Sequence, residues 1–229
     1  MNMIMTIAAA SLALGLVYWL LFRPWHLKWG ASDEEFRDHL PGDDTVSHPR
    51  GEATHAITIN APASAVWSWL VQMGQNKGGF YSYSWLENLV GCHLRNADHI
   101  LPQFQHLHVG DKVWLHPKAP PLPVLICDPM HSLVLGSNTK EPGLWGFFLK
   151  DIDANHVRLI VRWRGDWKPS LLRSLIHYCV FEPAHFIMEQ KMMRGIKARA
   201  EQAGVEVAAP AATGPNASKP QPTRMLIKD

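Results

Sequence analysis

His185 and Glu189 stand four residues apart. On a helix that spacing brings both side chains to one face, where they can pair an acid with a base or begin a metal site. No HExxH surrounds them, and Cys92, His93, Asp98 and His99 would add ligands only if folding brought them close, so neither a metal nor another cofactor is expected. A second reading makes Glu182 and Glu189 buried structural acids that pair with Arg162, Arg164 or Arg194, because an ionised group inside a core needs a partner. Arg162 and Arg164 flank Trp163, so on a strand both cations share one face. Lining a cavity they could hold a ligand carboxylate; facing solvent they would blunt the sheet. Gly78 and Gly79 lead into Phe80, Tyr81, Tyr83 and Trp85. Without GxGxxG or Walker spacing they cradle no phosphate; they permit a tight turn that brings rings and hydroxyls to a cavity mouth, or into plain core packing. Trp114 is grouped with these rings. No GxSxG occurs, and adjacent Cys92 and His93 diverge on strand or helix, so no nucleophilic constellation is visible. The candidate ligand-binding set is Phe80, Tyr81, Tyr83, Trp85, Trp114, Arg162, His185 and Glu189, with no catalytic residue assigned.

The elements that must position these residues are legible as periodicities. Residues 55–59 alternate with period two and end at Asn60-Ala61-Pro62; Ala65, Val66, Trp69, Leu70 and Met73 then follow a helical stripe stopped by Gly74. A second helix is expected over 84–90. From residue 109 the pattern turns to short strands separated by turn residues, over 111–115, 124–127, 132–135, 145–150 and 156–164, which predicts an antiparallel meander. Residues 183–203 read as a long helix with Ala184, Ile187, Met188, Met192 and Ile196 on its apolar stripe and Gly204 as its stop.

Residues 4–22 carry no charged side chain, and at about 1.5 Å per helical residue they cover roughly 28 Å, close to the hydrocarbon thickness of a bilayer. Tyr18, Trp19, Trp25 and Trp29 gather at the far end beside Arg23 and Lys28, the composition of a headgroup boundary. No cationic side chain precedes the stretch and no small-residue cleavage site follows it, so an uncleaved anchor is favoured over a secretory signal. The cations that follow it place the main domain in the cytoplasm, which agrees with three widely spaced cysteines lacking any disulfide or zinc pattern. Residues 171–188 are apolar but interrupted by Arg173, His177, Glu182 and Pro183. They read as a helix packing on the sheet or as an amphipathic lip on the membrane near a pocket mouth, not as a second span.

The expected organisation is an anchor (1–23), a polar connector with a capped turn at Ser32 (24–52), one folded domain (53–204) and a disordered tail (205–229). Across 229 residues, 47% apolar and 18% charged side chains suit a real core, and a net charge of +2 lacks the cationic excess that nucleic acid would require.

The element order, together with Trp25 to Ala31, Ile57 to Pro62, Trp69 to Gln75, Gly78 to Ser82, Trp85 to Leu89 and Glu182 to Glu189, resembles the bacterial START-like or SRPBCC superfamily, also called polyketide cyclase/dehydrase-like. The resemblance runs from about Trp25 to Ala203. It implies an α+β helix-grip fold, a curved antiparallel sheet wrapped around a long C-terminal helix, and a cavity for a hydrophobic or amphipathic small molecule such as a lipid or an aromatic metabolite. Two rivals stay open: a cyclase, dehydratase or hydrolase using the same cavity, and a non-catalytic interaction module whose cavity is filled by its own side chains.

Overall fold

The computed structural model describes residues 3–137 and 141–208, so most of the expected tail lies outside the described residues. An apolar helix α1 (Met3–Val17) continues through a π-helical turn (Tyr18–Phe22) into α2 (Arg23–Leu27). The stretch Met5–Leu27 is long and apolar enough to cross a membrane, and none of its most apolar window is buried against the rest of the chain, unlike a core helix.

The sheet has six antiparallel strands: β1 (Gly51–Ile59), β2 (Lys112–Val113), β3 (Leu122–Asp128), β4 (Ser132–Ser137), β5 (Gly143–Asp153) and β6 (His156–Gly165). Its order is β1-β6-β5-β4-β3-β2. An Asx turn joins β5 to β6, with Asn155 N donating to Asp153 Oδ1 at 2.8 Å. Two short helices, α4 (Ala63–Val71) and α5 (Ser84–Leu89), lie between β1 and β2. After the sheet a continuous helical run comprises α6 (Leu171–Ile176), a π-helical turn (His177–Phe181) and α7 (Glu182–Ala208). This is the helix-grip plan. The helix passes Gly204, which does not stop it, and runs to the last described residue, Ala208; one glycine in a helix interior costs only about 1 kcal/mol against alanine.

Alternation along the strands divides the core in two. On the inner face Ile59, Phe147, Val157, Leu159 and Val161 pack with Trp69 and Leu70 of α4 and with Met192, Met193, Ile196 and Ala200 of α7. On the outer face Ala56, Val134, Phe148 and Ile160 pack under Leu40 and Val46 of the connector. The connector is therefore part of the core. It opens with α3 (Asp33–Arg37), capped as expected: Ser32 Oγ accepts from Glu35 N at 3.0 Å while Ser32 N donates back to Glu35 Oε2 at 2.7 Å.

Gly195 sets how closely α7 approaches the loop before α5. A Cβ there would lie 2.3 Å from the Tyr81 carbonyl oxygen, so a side chain would force helix and loop apart.

Candidate functional site

The helical stripe of α7 that faces the sheet runs through Glu189, Met192, Met193, Ile196 and Ala200, so a carboxylate is carried into the inner core by the same periodicity that packs the apolar residues. Ala184 and Ile187, expected on that stripe, are exposed. Glu189 Oε1 lies 2.6 Å from His55 Nδ1 on β1, and Oε2 accepts from Trp145 Nε1 on β5 at 2.8 Å. His55 Nε2 reaches the His26 carbonyl oxygen at 2.8 Å. His185 Nε2 stands 3.3 Å from Glu189 Oε2, as the four-residue spacing predicts.

Burial alone would raise the Glu189 carboxyl, but His185, the His55 hydrogen bond and the Trp145 N–H together outweigh it and hold the group below its ordinary range. It is ionised at neutral pH. His55 has an oxygen facing each ring nitrogen, the Glu189 carboxylate at Nδ1 and the His26 carbonyl at Nε2, which fixes the orientation of its ring. Burial lowers His185, outweighing the opposing pull of Glu189, so this imidazole is neutral.

His185 and Glu189 form part of the wall of a cavity of about 390 Å³ between α7 and the sheet. Phe80, Leu115, Leu122, Trp145, Trp163, Phe181, Met188 and Met192 supply its apolar wall; Ser82 and Glu87 supply further polar groups. The interior is not filled by its own side chains. Ser82 Oγ is already engaged, donating to the Met188 carbonyl at 2.9 Å. Glu87 is buried, its Oε2 has no hydrogen-bond partner among the described residues, and burial pushes its carboxyl up.

Of the expected ligand-binding residues, Phe80, His185 and Glu189 meet at this cavity, and five do not. Tyr81 is buried beside it in the core, its hydroxyl donating to the Trp69 carbonyl at 3.0 Å. Its φ of 57° breaks the run of the chain after Phe80 and turns the ring away; Asn96 Oδ1 holds this conformation by accepting from Tyr81 N at 2.7 Å. Trp85 is exposed because it lies two residues from Glu87, nearly opposite on a helix whose buried side carries the acid. Tyr83 is partly exposed under the Lys191 ammonium, 5.6 Å from its ring centroid. Trp114 follows a strand of only two residues whose Val113 points inward, and is exposed in its turn.

Arg162 faces neither cavity nor solvent. It projects from the outer face of β6 and is covered by the connector, which together with Thr54 of β1 satisfies the whole guanidinium. Nε donates to Thr54 Oγ1 (2.9 Å), Nη1 to the Asp38 carbonyl (2.7 Å) and Asp43 Oδ2 (2.6 Å), and Nη2 to the carbonyls of Glu35 (2.8 Å) and Phe36 (2.9 Å). The suggested arginine partners of the two acids are also replaced. Glu182 pairs with Arg23 of α2 at 3.0 Å, Glu189 pairs with His55, and Arg194 lies over the Trp29 ring. Among the described residues no group of three or more His, Cys, Asp or Glu side chains is placed to hold a metal ion.

No family model and no curated protein sequence matches the chain. Solved structures similar to it include KanY, at 12% identity over 67% of this chain and 99% of that one with a TM-score of 0.40. A Thalictrum norcoclaurine synthase point mutant in complex with a transition-state analogue is similar at 11% identity over 67% and 96% of the two chains, TM-score 0.37. CalU16 from Micromonospora echinospora is similar at 15% identity over 69% and 88%, TM-score 0.32. Likenesses of this size carry no argument about what this chain binds.

Sequence reasoning missed His55, Trp145, Trp163 and Glu87. The signal for the first was present: period two places His55 on the same strand face as Ile57 and Ile59, hence toward the core.

Proposed function

We propose that this chain is a membrane-anchored, cytoplasmic-facing domain that holds a hydrophobic or amphipathic small molecule between its sheet and α7. The observation that carries the reading is an unfilled cavity of about 390 Å³ whose wall is rings, leucines and methionines, with its polar atoms confined to a few side chains. That size falls within the range of small-molecule pockets, and burial of apolar surface supplies the affinity while polar groups orient the ligand. The N-terminal helix serves as the tether, with Trp19, Arg23 and Trp25 at its headgroup boundary.

Full-length protein extracted into polymer-bounded native membrane discs should release a defined apolar molecule on denaturation, read by mass spectrometry. Gly143 lies on the cavity wall, and among the described residues a Cβ there would meet only the Arg164 carbonyl oxygen, at 3.8 Å. Gly143→Leu should therefore fill the space and abolish the release. An empty wild-type cavity, or equal release from the filled variant, would overturn the proposal.

Catalysis in the same cavity is a second reading, favoured by a neutral imidazole at His185 beside an ionised carboxylate, a pair able to accept and return a proton. Its test is turnover of the released molecule that is lost in His185→Gln while binding persists.

A further inference from the structure

The helical run leading into α7 exposes large apolar side chains that no part of the described chain covers. Leu171 is 89% exposed, Leu172 66%, and Leu175, Ile176, Val180 and Phe181 are exposed as well. Left in water, such a contiguous patch is a liability; continuous with a membrane-facing surface, it is an asset.

The contacts with the N-terminal helix fix which surface that is. Phe186 meets Trp25 edge to face at 5.5 Å, Glu182 pairs with Arg23, and Tyr178 packs against Trp19 at 5.3 Å and under the Arg23 guanidinium. Descending numbers on one helix thus meet descending numbers on the other. Both helices run from this contact toward the side where the apolar stretch of α1 lies. From Tyr178 to Leu171 the chain climbs seven residues, about 10 Å at helical rise. The two cations at this level, Arg173 and Lys168, have long stems that can carry their charge back to the headgroups, and Arg173 is already paired with Glu141. Phe181 belongs both to this apolar face and to the wall of the 390 Å³ cavity.

From these relations we infer that α6 and the π-helical turn after it lie in the same leaflet as the end of the anchor, and that the cavity opens there, so its ligand enters from the acyl-chain region of the bilayer rather than from water. The inference rests on the anchored-domain reading and adds the source and route of the ligand. The occupant of the apolar face is the lipid acyl chain itself.

The test uses the full chain in phosphatidylcholine vesicles whose acyl chains carry a photoactivatable diazirine, with adducts mapped by mass spectrometry. Adducts as dense on residues 171–181 as on the apolar stretch of α1, reaching Phe181 and sparse around Ile152, would support it. Ile152 is an exposed apolar residue nine positions along β5 from Gly143 and controls for mere apolar exposure. Adducts on α1 with none above the Ile152 level on 171–181 would overturn the inference and leave the anchor intact. Adducts on neither segment would overturn the anchor as well.

Discussion

Glu189 of α7 and His55 of β1 lie 134 positions apart in sequence, yet their side chains meet at 2.6 Å in the buried interior. The pair ties the last helix to an edge strand directly beside the cavity, and it is the polar floor on which His185 and Trp145 converge.

Removing His55 leaves the buried Glu189 carboxylate without its shortest hydrogen bond. His55→Phe should cost about 3–5 kcal/mol in stability, whereas Glu189→Gln combined with His55→Phe should cost less than the single histidine change. Urea denaturation of the four chains in detergent measures the coupling, and simple additivity would show that the pair is not linked.

Arg162→Met removes five buried hydrogen bonds, four of them to the connector, and leaves the buried Asp43 carboxylate to Arg164 and the Leu40 N–H alone. A loss of about 3–5 kcal/mol is expected. Protein that stays folded should keep its ligand occupancy, since the guanidinium is on the opposite face of the sheet from the cavity. Loss of ligand without loss of stability would return this residue to the binding site.

At Gly195 a methyl group collides with the Tyr81 backbone at 2.3 Å. Gly195→Ala should therefore destabilise by about 1–3 kcal/mol despite alanine's better helix propensity. A thermal melt showing equal or higher stability would mean that α7 and the loop do not approach so closely.

Acid should destabilise the domain in two stages. Burial holds the native pKa of His185 below its ordinary 6.5, and burial together with the charge of Arg23 takes His177 down to about 4. As pH falls below about 6.5 the unfolded chain takes up protons that the native state refuses, so stability declines. Below about 4.5 the unfolded form of Glu189 protonates before the native one, and the decline steepens. Each group contributes at most about 1.4 kcal/mol per pH unit. Denaturation midpoints at pH 7.5, 5.5 and 4 test the sign; a flat profile would contradict the protonation states given above.

Much of the plan follows from local pattern. Period two and the spacing of turn residues located all six strands, the 3.6-residue period located the helix after β1 and the long helix after the sheet, and nineteen consecutive uncharged residues marked the apolar helix. The spacing of His185 and Glu189 was sufficient to bring their side chains together, because helical geometry is local. What alternation could not supply was the layer that lies against each face. It grouped Arg162 with Arg164 correctly, but whether cavity, solvent or connector covers that face depends on where a separate segment of chain returns. The same holds for His55, whose inward direction is written in its strand while its partner on α7 is not. Neither the positive φ of Tyr81 nor the hollow beside it leaves a mark in composition. Both arise when helix and sheet settle against one another, and such packing is a property of many distant residues at once.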